Sequence, residues 1–419
     1  MTDPRTRPID DAARVLLRLS RLLLAAGAGS CHVQDRMGSL AATWGMSATL
    51  FVSAERLLLM LDDGGRYRTR IGHHIGDLGM DADRLFALDA LCREVETRHH
   101  GPDDVAAAMD AIELRKRRYS TIWVTLCVGI TAAALARLFG AEWCVTAATL
   151  AASLLNRMVL HRLLSARFAP VLATGAAASV SSLFAVLLLH GTDADPALAL
   201  VAMGMVLVPG VALLNGFRDL VQGAAAFAIA RLASAATVVV GIAAGLAIAG
   251  SLAGITLGPY APPAHLPLAE DIALSAAAAL GFAALFNAPL RAVAPIVLCG
   301  ALAHGLRSML MDTGLYLGMS TFIAALVAAQ VAIWIARRMH APWIAFAFPA
   351  VVALVPGSYA FRGLIGSLAI MNSGGHTPAD QLGATLADLL TFMLLTCAIG
   401  IALLVAASWC RRVSPRPWR

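Results

Sequence analysis

The chain has 419 residues, of which 59% are hydrophobic and only 14% charged, and its mean hydropathy is +0.75. This composition excludes an ordinary soluble domain and indicates an integral membrane protein. The net charge of +6 does not indicate nucleic-acid binding, because the basic residues are nearly all arginines beside apolar segments, where they act as topology signals. Seven cysteines without CxxC or CxxxC spacing predict neither a disulfide framework nor a zinc site.

Residues 1–118 are predicted to form a small cytoplasmic α+β domain. Apolar residues repeat at helical spacing from Val15 and again after Ser30, which predicts two amphipathic helices. Segments 49–54, 57–61 and 67–71 have the pattern of a short β-meander. A helix behind Asp81 and one that opens with Pro102 complete the domain, which ends in four basic residues at 115–118. No cleaved signal peptide is expected, because the first long apolar segment begins only at residue 121.

Ten apolar segments follow, each long enough or nearly long enough for the ~20 residues that a membrane-spanning helix needs. Five lie in residues 119–250 and five in 271–410; a Pro/Gly-rich connector, 251–270, is expected to be extracytoplasmic, and a basic tail, 411–419, cytoplasmic. The segments are 121–139, 143–160, 168–189, 196–214, 228–250, 272–286, 292–311, 315–336, 343–355 with its continuation, and 386–408. The predicted fold class is therefore a multi-pass α-helical membrane protein.

The two groups of five segments have features of an internal repeat. Leu-Val-Pro-Gly begins at Leu207 and again at Leu354, 147 positions later, and Leu-Phe begins at Leu138 and Leu285 with the same spacing. In each Leu-Val-Pro-Gly, proline removes a backbone donor inside an apolar segment and predicts a broken membrane helix. Five is an odd number, so the second half must enter the membrane from the opposite side. The result is an inverted repeat, typical of secondary transporters.

Arginine positions predict that both termini lie in the cytoplasm. The predicted inner segments contain Arg157, Arg162, Arg167, Arg218, Arg231, Arg291, Arg337, Arg338 and the arginines of the tail. The predicted outer segments at 190–195 and 251–271 contain none. Arg137, Arg307 and Arg362 are exceptions, because they lie close to outer ends. The expected location is the bacterial inner membrane.

Three segments resemble those of a known family: Leu-Leu-Leu-Ala-Ala-Gly-Ala-Gly-Ser at 22–30, Leu-Val-Pro-Gly-Val-Ala-Leu-Leu-Asn-Gly-Phe-Arg-Asp-Leu at 207–220, and Leu-Val-Pro-Gly-Ser-Tyr-Ala-Phe-Arg-Gly at 354–363. With them, nearly the whole chain resembles the threonine/serine exporter family. The resemblance implies a proton-driven exporter, an antiporter, of small hydroxy amino acids. Relatives made of two polypeptides are linked to succinate export, so a dicarboxylate is the alternative substrate class.

The two breaks are the candidate substrate site. Half-helices that begin at Pro209-Gly210 and Pro356-Gly357 would direct backbone N–H groups at a substrate carboxylate. If the halves are inverted, the two would approach one central cavity from opposite sides. The alternative is a pair of kinks or tight turns, since proline and glycine are common in membrane helices.

Polar residues after each break are candidates for binding substrate: Asn215, Arg218 and Asp219 after the first, and Arg362 after the second. An arginine can hold a carboxylate through two hydrogen bonds, and an aspartate can accept from an ammonium group. The alternative is that Arg218 and Asp219 neutralise each other at the inner membrane surface and only set topology.

Asp388, Arg231 and His304 are candidates for proton coupling. Asp388 is near the start of the last span and should face the bundle interior, where burial favours its protonated form. Arg231 lies near the start of the matching fifth span. The alternatives are an interfacial Asp388, an Asp388–arginine pair, and a His304 that only packs. Helix-to-helix hydrogen bonds are expected of the weaker candidates Asn156, Asn287 and Gln330.

A membrane-anchored hydrolase is the rival from another class, and a passive channel is a third alternative. The residues that suggest a hydrolase are Cys31, His32, His73, His74, Asp77, His99 and His100. Their spacing fits no nucleophile or zinc motif, so no catalytic residue, cofactor or metal ligand is predicted and the protein is not expected to be an enzyme. The expected partners are a small-molecule substrate, protons and the lipid bilayer; a homo-oligomer is left open.

Overall fold

The structure is a computed structural model that describes residues 7–53, 56–72, 79–255, 266–373 and 376–413. Within these ranges the chain forms sixteen α-helices and one three-stranded antiparallel sheet. The predicted end of the first strand at Ala54, the residues His73, His74 and Asp77, most of the Pro/Gly-rich connector and the end of the basic tail lie outside the described residues.

The N-terminal region, residues 7–114, combines four helices with the sheet. Its elements are α1 (Arg7–Ala25), α2 (Ser30–Thr43), β1 (Ser47–Val52), β2 (Leu57–Asp62), β3 (Tyr67–Ile71), α3 (Ala82–Arg98) and α4 (Pro102–Glu113). The strands follow the order β1-β2-β3, with Leu50 opposite Leu59 and Met60 opposite Thr69. Alternate residues of a strand face opposite sides, and the face of Leu57, Leu59 and Leu61 is buried.

Local signals explain where these helices begin and which face they bury. Leu16, Leu19 and Leu23 of α1 are fully buried, as expected of positions three and four apart on one helical face. The Asp81 carboxylate accepts from the backbone N–H of Arg84 at 3.1 Å and so caps α3, while Pro102 occupies the first turn of α4.

Twelve helices and one 3₁₀ turn follow. They are α5 (Thr121–Leu138), α6 (Trp143–Ser165), α7 (Pro170–Leu189), α8 (Pro196–Leu207), α9 (Gly210–Val221), α10 (Ala225–Ala253), α11 (Leu268–Leu285), α12 (Leu290–Asp312), α13 (Leu317–Met339), α14 (Ile344–Val351), the 3₁₀ turn Val352–Leu354, α15 (Gly357–Ser373) and α16 (Ala379–Val413). Among the described residues, eight helices are long and apolar enough to cross a membrane, or ten if each bent pair is one span. The chain is therefore a multi-pass membrane protein.

The bent pairs lie where the sequence predicts broken helices. The axes of α8 and α9 differ by 52°, and those of the α14 segment and α15 by 47°. Pro209 and Pro356 stand immediately before α9 and α15, where a residue without a backbone N–H costs no helical hydrogen bond.

Helix α10 continues to Ala253 and α11 begins at Leu268, so the link between them is shorter than the predicted connector 251–270. The early start of α11 has a physical reason: Glu270 and Asp271 fall in its first turn, where acidic side chains stabilise the positive end of a helix.

Helices of the second half pack in the same pairs as those of the first. In the first half α5 packs on α6, α6 on α7, α7 on α10 and α9 on α10; in the second, α11 packs on α12, α12 on α13, α13 on α16 and α15 on α16. Between the halves, α5 packs along α11, while α9 packs on α16 and α10 on α15. Both halves therefore contribute to one helical bundle.

The N-terminal region is held to this bundle by the turn after α11. Asn287, at a left-handed φ of 55°, donates from Nδ2 to Asp81 Oδ1 at 2.9 Å and accepts at Oδ1 from the Arg118 backbone N–H at 2.9 Å. Phe86 packs edge-on against Phe346, with ring centroids 5.5 Å apart. The prediction that Asn287 bonds another helix is wrong, because its backbone conformation places it in a turn.

Asn156 and Gln330, the other two amide side chains expected to form hydrogen bonds between helices, have different outcomes. Asn156 donates from Nδ2 to Ser181 Oγ of the neighbouring helix α7 at 2.9 Å, as expected. Gln330 does not make the expected bond through its amide nitrogen, since its buried Nε2 has no hydrogen-bond partner among the described residues.

Candidate functional site

The two helix breaks pack against each other. A Cβ on Gly210 would lie 3.4 Å from Val352 Cγ1 and 3.7 Å from Val355 Cγ2, and a Cβ on Gly357 would lie 2.7 Å from Val208 Cγ2 and 3.6 Å from Met205 Cα. Gly357, Val355 and Val352 are each 147 positions after Gly210, Val208 and Met205. The contact is therefore reciprocal, as in an interface between equivalent surfaces.

A small cavity, lined by residues with apolar side chains or none, lies where the two breaks meet. Its lining contains three pairs of residues 147 positions apart, together with Gly210 and Ala353: Leu135 and Phe282, Met205 and Val352, Val208 and Val355. The volume of about 10 Å³ accommodates about one water molecule and is far too small for an amino acid. In this conformation the two breaks are closed around each other.

The polar residues of α9 contact the N-terminal region instead of this cavity. The Asp219 carboxylate, which is 0% exposed, accepts at Oδ1 from the backbone N–H of Ser30 at 3.0 Å and from its hydroxyl at 2.7 Å. Ser30 is the first residue of α2, and the preceding Gly29 has no side chain to cap the helix. Asp219 thus provides the cap from 189 positions away, where a negative charge is stabilised by the helix dipole.

Arg231 of α10 completes the arrangement around Asp219. Its Nη1 lies 3.1 Å from Asp219 Oδ2, its Nη2 donates to the Ala28 carbonyl at 3.4 Å, and its guanidinium lies over the Phe227 ring at 4.4 Å. Arg231 is 2% exposed, so both members of the ion pair are buried. Arg231, one of the three candidates for proton coupling, is therefore paired with the carboxylate of Asp219.

Asn215 and Arg218 contact the same turn of the N-terminal region. Asn215 Nδ2 donates to the Gly27 carbonyl at 3.3 Å. A Cβ on Gly29 would lie 2.5 Å from Arg218 Nη2, so a larger residue there would displace this guanidinium. We call the four side chains Asn215, Arg218, Asp219 and Arg231 the Asp219 cluster, and residues 27–30 the turn that fills it.

The second broken helix is also joined to the next helix by an ion pair. Here the arginine lies on the broken helix and the aspartate on the following one, the reverse of Asp219 and Arg231. Arg362 of α15 donates from Nη2 to Asp388 Oδ1 of α16 at 2.6 Å, and both side chains are 18% exposed. The guanidinium lies 4.8 Å from the Tyr359 ring. Arg362 is 147 positions after Asn215, so equivalent positions carry different side chains. Asp388 is thus paired with an arginine, which was one of the alternatives for it.

His304 belongs to a third cluster, between α11 and α12, that we call the Asp271 cluster. Its Nδ1 lies 2.7 Å from Asp271 Oδ1, Ser308 Oγ donates to Asp271 Oδ2 at 2.8 Å, and Arg307 contacts His304 Nε2. Asp271 and His304 are both buried. His304 is therefore more than a packing residue.

Sequence reasoning did not select Asp271 or Ser30. Asp271 adjoins the predicted connector and was therefore not considered. A signal was present: His304 and Ser308, which both contact Asp271, are four residues apart and so lie on one face of α12. Ser30 lies in the segment that carries the family resemblance, but nothing local to it indicates a partner in the membrane.

Two of the arginines that depart from the topology pattern have carboxylate partners. Arg137 Nε donates to Glu270 Oε1 at 2.7 Å, and Arg362 pairs with Asp388. These two exceptions are therefore charge-paired within the helical bundle.

Among the described residues of the hydrolase alternative, no side chain is arranged as an activated nucleophile. Burial raises the pKa of the Cys31 thiol above its ordinary 9.0, which disfavours the thiolate. His32 Nε2 lies 3.6 Å from Asp89 Oδ1, a carboxylate already held by Arg36 at 2.8 Å, and His99 only ends α3 in a left-handed conformation. Among the described residues, no group of three or more His, Cys, Asp or Glu side chains is placed to hold a metal ion.

In the described part of the chain, eight to ten candidate spans, with two broken helices whose breaks pack reciprocally, are typical of a multi-pass membrane protein of the transporter class. Comparison with known families agrees. The model of a family described as a threonine/serine exporter matches residues 14–253, and that of "Threonine/Serine exporter, ThrE" matches residues 271–409. The chain belongs to the threonine/serine exporter family, as its sequence motifs predict. No solved structure matches it.

Proposed function

We propose that this protein exports threonine, serine or a similar small polar metabolite by proton-coupled alternating access. The observation that carries the proposal is the reciprocal packing of the two breaks, Gly210 on Val352 and Val355, and Gly357 on Met205 and Val208. Discontinuous helices that meet between two repeats are where secondary transporters bind substrate.

The proposal includes an inverted repeat, formed by residues 119–250 and 271–410. A second contact between equivalent positions supports it: Thr131 Oγ1 lies 3.3 Å from the Ala278 carbonyl oxygen, and the two residues are 147 positions apart. A residue that contacts its own counterpart must lie next to a two-fold axis. In addition, α5 begins and its counterpart α11 ends beside the N-terminal region, as opposite orientations require.

In the proposed orientation both termini lie in the cytoplasm of a bacterium, with the chain in the inner membrane. The Asp219–Arg231 pair then faces the cytoplasm and the Arg362–Asp388 pair faces outward. Each pair joins the second half of a broken helix to the following helix. We propose that the two pairs are gates, because each must break for its side of the bundle to open.

Proton coupling is proposed for Asp388 and for the Asp271–His304 pair, both in the outer half in this orientation, with Arg231 as the cytoplasmic counterpart. A proton that arrives from outside and binds Asp388 removes the charge that holds Arg362. The outer gate would then open to release substrate. Intramembrane carboxylates that pair with an arginine or a histidine are typical carriers of protons in transporters.

Proteoliposomes that contain the purified protein and labelled threonine, serine or succinate test the proposal. An imposed pH gradient should accelerate efflux of threonine or serine, and Asp388→Asn should remove this acceleration. Asp380→Asn is the matched control, because Asp380 is an exposed carboxylate on the same helix α16. Efflux of succinate alone would favour the dicarboxylate alternative, gradient-independent efflux a channel, and no efflux above protein-free vesicles would refute export.

A further inference from the structure

We infer that the Asp219 cluster is a binding site for a free hydroxy amino acid, and that Ser30 occupies the site here as an internal substitute for that ligand. The inference rests on the proposed function and places the cytoplasm-facing substrate site at Asp219, nine residues after the first break at Gly210. It would explain why α9 directs its polar residues toward the N-terminal region and away from the apolar crossing of the breaks.

Ser30 presents to Asp219 the same pair of groups that a free hydroxy amino acid carries. Its backbone N–H and its hydroxyl both donate to Asp219 Oδ1, at 3.0 and 2.7 Å. In free serine or threonine the nitrogen and the hydroxyl also stand on adjacent carbons, so the same two bonds can form. The nitrogen is then an ammonium group, and its bond to the carboxylate is strengthened by charge.

Two donors of the Asp219 cluster are bonded to carbonyl groups of the turn, and withdrawal of the turn would free them for a substrate carboxylate. The Gly27 oxygen accepts from Asn215 Nδ2 at 3.3 Å, and the Ala28 oxygen accepts from Arg231 Nη2 at 3.4 Å. An amide donor and a guanidinium that hold two neutral carbonyl groups can hold the two oxygens of one carboxylate more strongly.

The turn fills the site incompletely. Arg231 Nε is buried without a hydrogen-bond partner among the described residues, and there Arg231 Nη1 and Asp219 Oδ2 have only their ion pair with each other, at 3.1 Å. Buried charged groups are normally hydrogen-bonded, and orphaned ones point to a missing ligand or water. A zwitterionic ligand supplies both an acceptor for the guanidinium and a donor for the carboxylate.

The same geometry selects among substrates. Succinate has no donor for Asp219, and its second carboxylate would be repelled. Alanine keeps the ammonium group but leaves one hydrogen bond to the buried Asp219 unmade, which should weaken its binding about 10-fold or more relative to serine. Because the turn and the ligand use the same groups, substrate can bind from the cytoplasm only when the N-terminal region withdraws residues 27–30.

The test is equilibrium binding of labelled serine to the full-length protein in nanodiscs, without a pH gradient. Ser30→Ala removes one of the two bonds that hold the turn, so serine should bind about 10-fold more tightly. Ser20→Ala is the matched control, since Ser20 is also a buried serine of the N-terminal region but bonds only the Leu16 carbonyl. Asp219→Asn should abolish the preference for serine over alanine.

A second measurement uses the unmodified protein, so its result does not depend on whether a variant folds. Saturating serine should accelerate amide hydrogen exchange at the start of α2, because the turn is displaced, and alanine at the same concentration should do so less. Unchanged or weaker serine binding in Ser30→Ala, or exchange that serine does not change, overturns the inference. Tight, serine-selective binding without gradient-driven efflux would refute the proposed function alone, and coupled efflux with unchanged binding would refute this inference alone.

Discussion

The packing of the two breaks predicts that equivalent glycine substitutions have unequal effects. Gly210→Ala places a methyl group 3.4 Å from Val352 Cγ1, an ordinary contact that needs no rearrangement. Gly357→Ala places its methyl group 2.7 Å from Val208 Cγ2, a distance that real Cβ atoms essentially never show. Valine is stiff at χ1, so Val208 cannot simply turn away and the two helices must move apart.

The size of the effect follows from these distances. Overpacking of this kind costs about 1–3 kcal/mol. At Gly210 the cost is absent, and the loss of backbone freedom in the unfolded chain favours alanine by about 0.4–1 kcal/mol. We therefore expect Gly357→Ala to destabilise the protein by about 2 kcal/mol and Gly210→Ala to leave its stability unchanged or slightly higher.

Thermal unfolding in detergent micelles measures the difference, with the efflux rate as a second readout. The double variant Val208→Ala/Gly357→Ala removes the methyl group that Gly357→Ala meets. It should be more stable than the sum of the two single changes by about 1 kcal/mol or more. Equal destabilisation by the two glycine variants, or no rescue in the double variant, would show that the breaks do not pack as described.

Three further changes have defined outcomes. Asp388→Glu should keep the pair with Arg362 and retain coupled efflux, which Asp388→Asn loses in vesicle assays; loss in both variants contradicts a charge role. Burial raises the pKa of Asp89, but the nearby His32, Arg36 and Arg93 side chains outweigh it and hold the pKa below 3.8. Asp89 therefore stabilises the fold above about pH 4 and less as pH falls; Asp89→Asn should cost about 3 kcal/mol at neutral pH and flatten this dependence in thermal melts. Asn287→Ala should speed tryptic cleavage at residues 115–118, because the side-chain hydrogen bonds of Asn287 to Asp81 and Arg118 are lost. An unchanged cleavage rate would show that these bonds do not hold the N-terminal region to the bundle.

Much of the architecture could be predicted because its causes are local. Apolar residues at helical spacing predict α1 and α2, Asp81 and Pro102 mark the starts of α3 and α4, and long apolar segments indicate the spans. The recurrence of Leu-Val-Pro-Gly was also readable, since it needs no knowledge of contacts. The positions of the bends at Pro209 and Pro356 follow from a missing backbone donor.

The candidate site was only partly readable, because its partners are distant in the chain. Asn215, Arg218 and Asp219 were selected from the residues after the first break, but Ser30, 189 positions before Asp219, was not. Likewise, Asp388 was selected as an intramembrane carboxylate, while its partner Arg362 was assigned to the substrate instead. No pattern of spacing reports which of several arginines will face a given carboxylate after the helices pack.

The amino-acid sequence by itself determined the class of protein, the two breaks and the family, because hydropathy, helix caps and proline act over a few residues. Only the tertiary structure decided that the two breaks pack on each other and that residues 27–30 of the N-terminal region contact the Asp219 cluster. It also decided that the two ion pairs form between successive helices of each half. The reason is physical: a buried charge must be matched by whichever partner the folded chain brings within about 3 Å, and that choice depends on packing across the whole bundle.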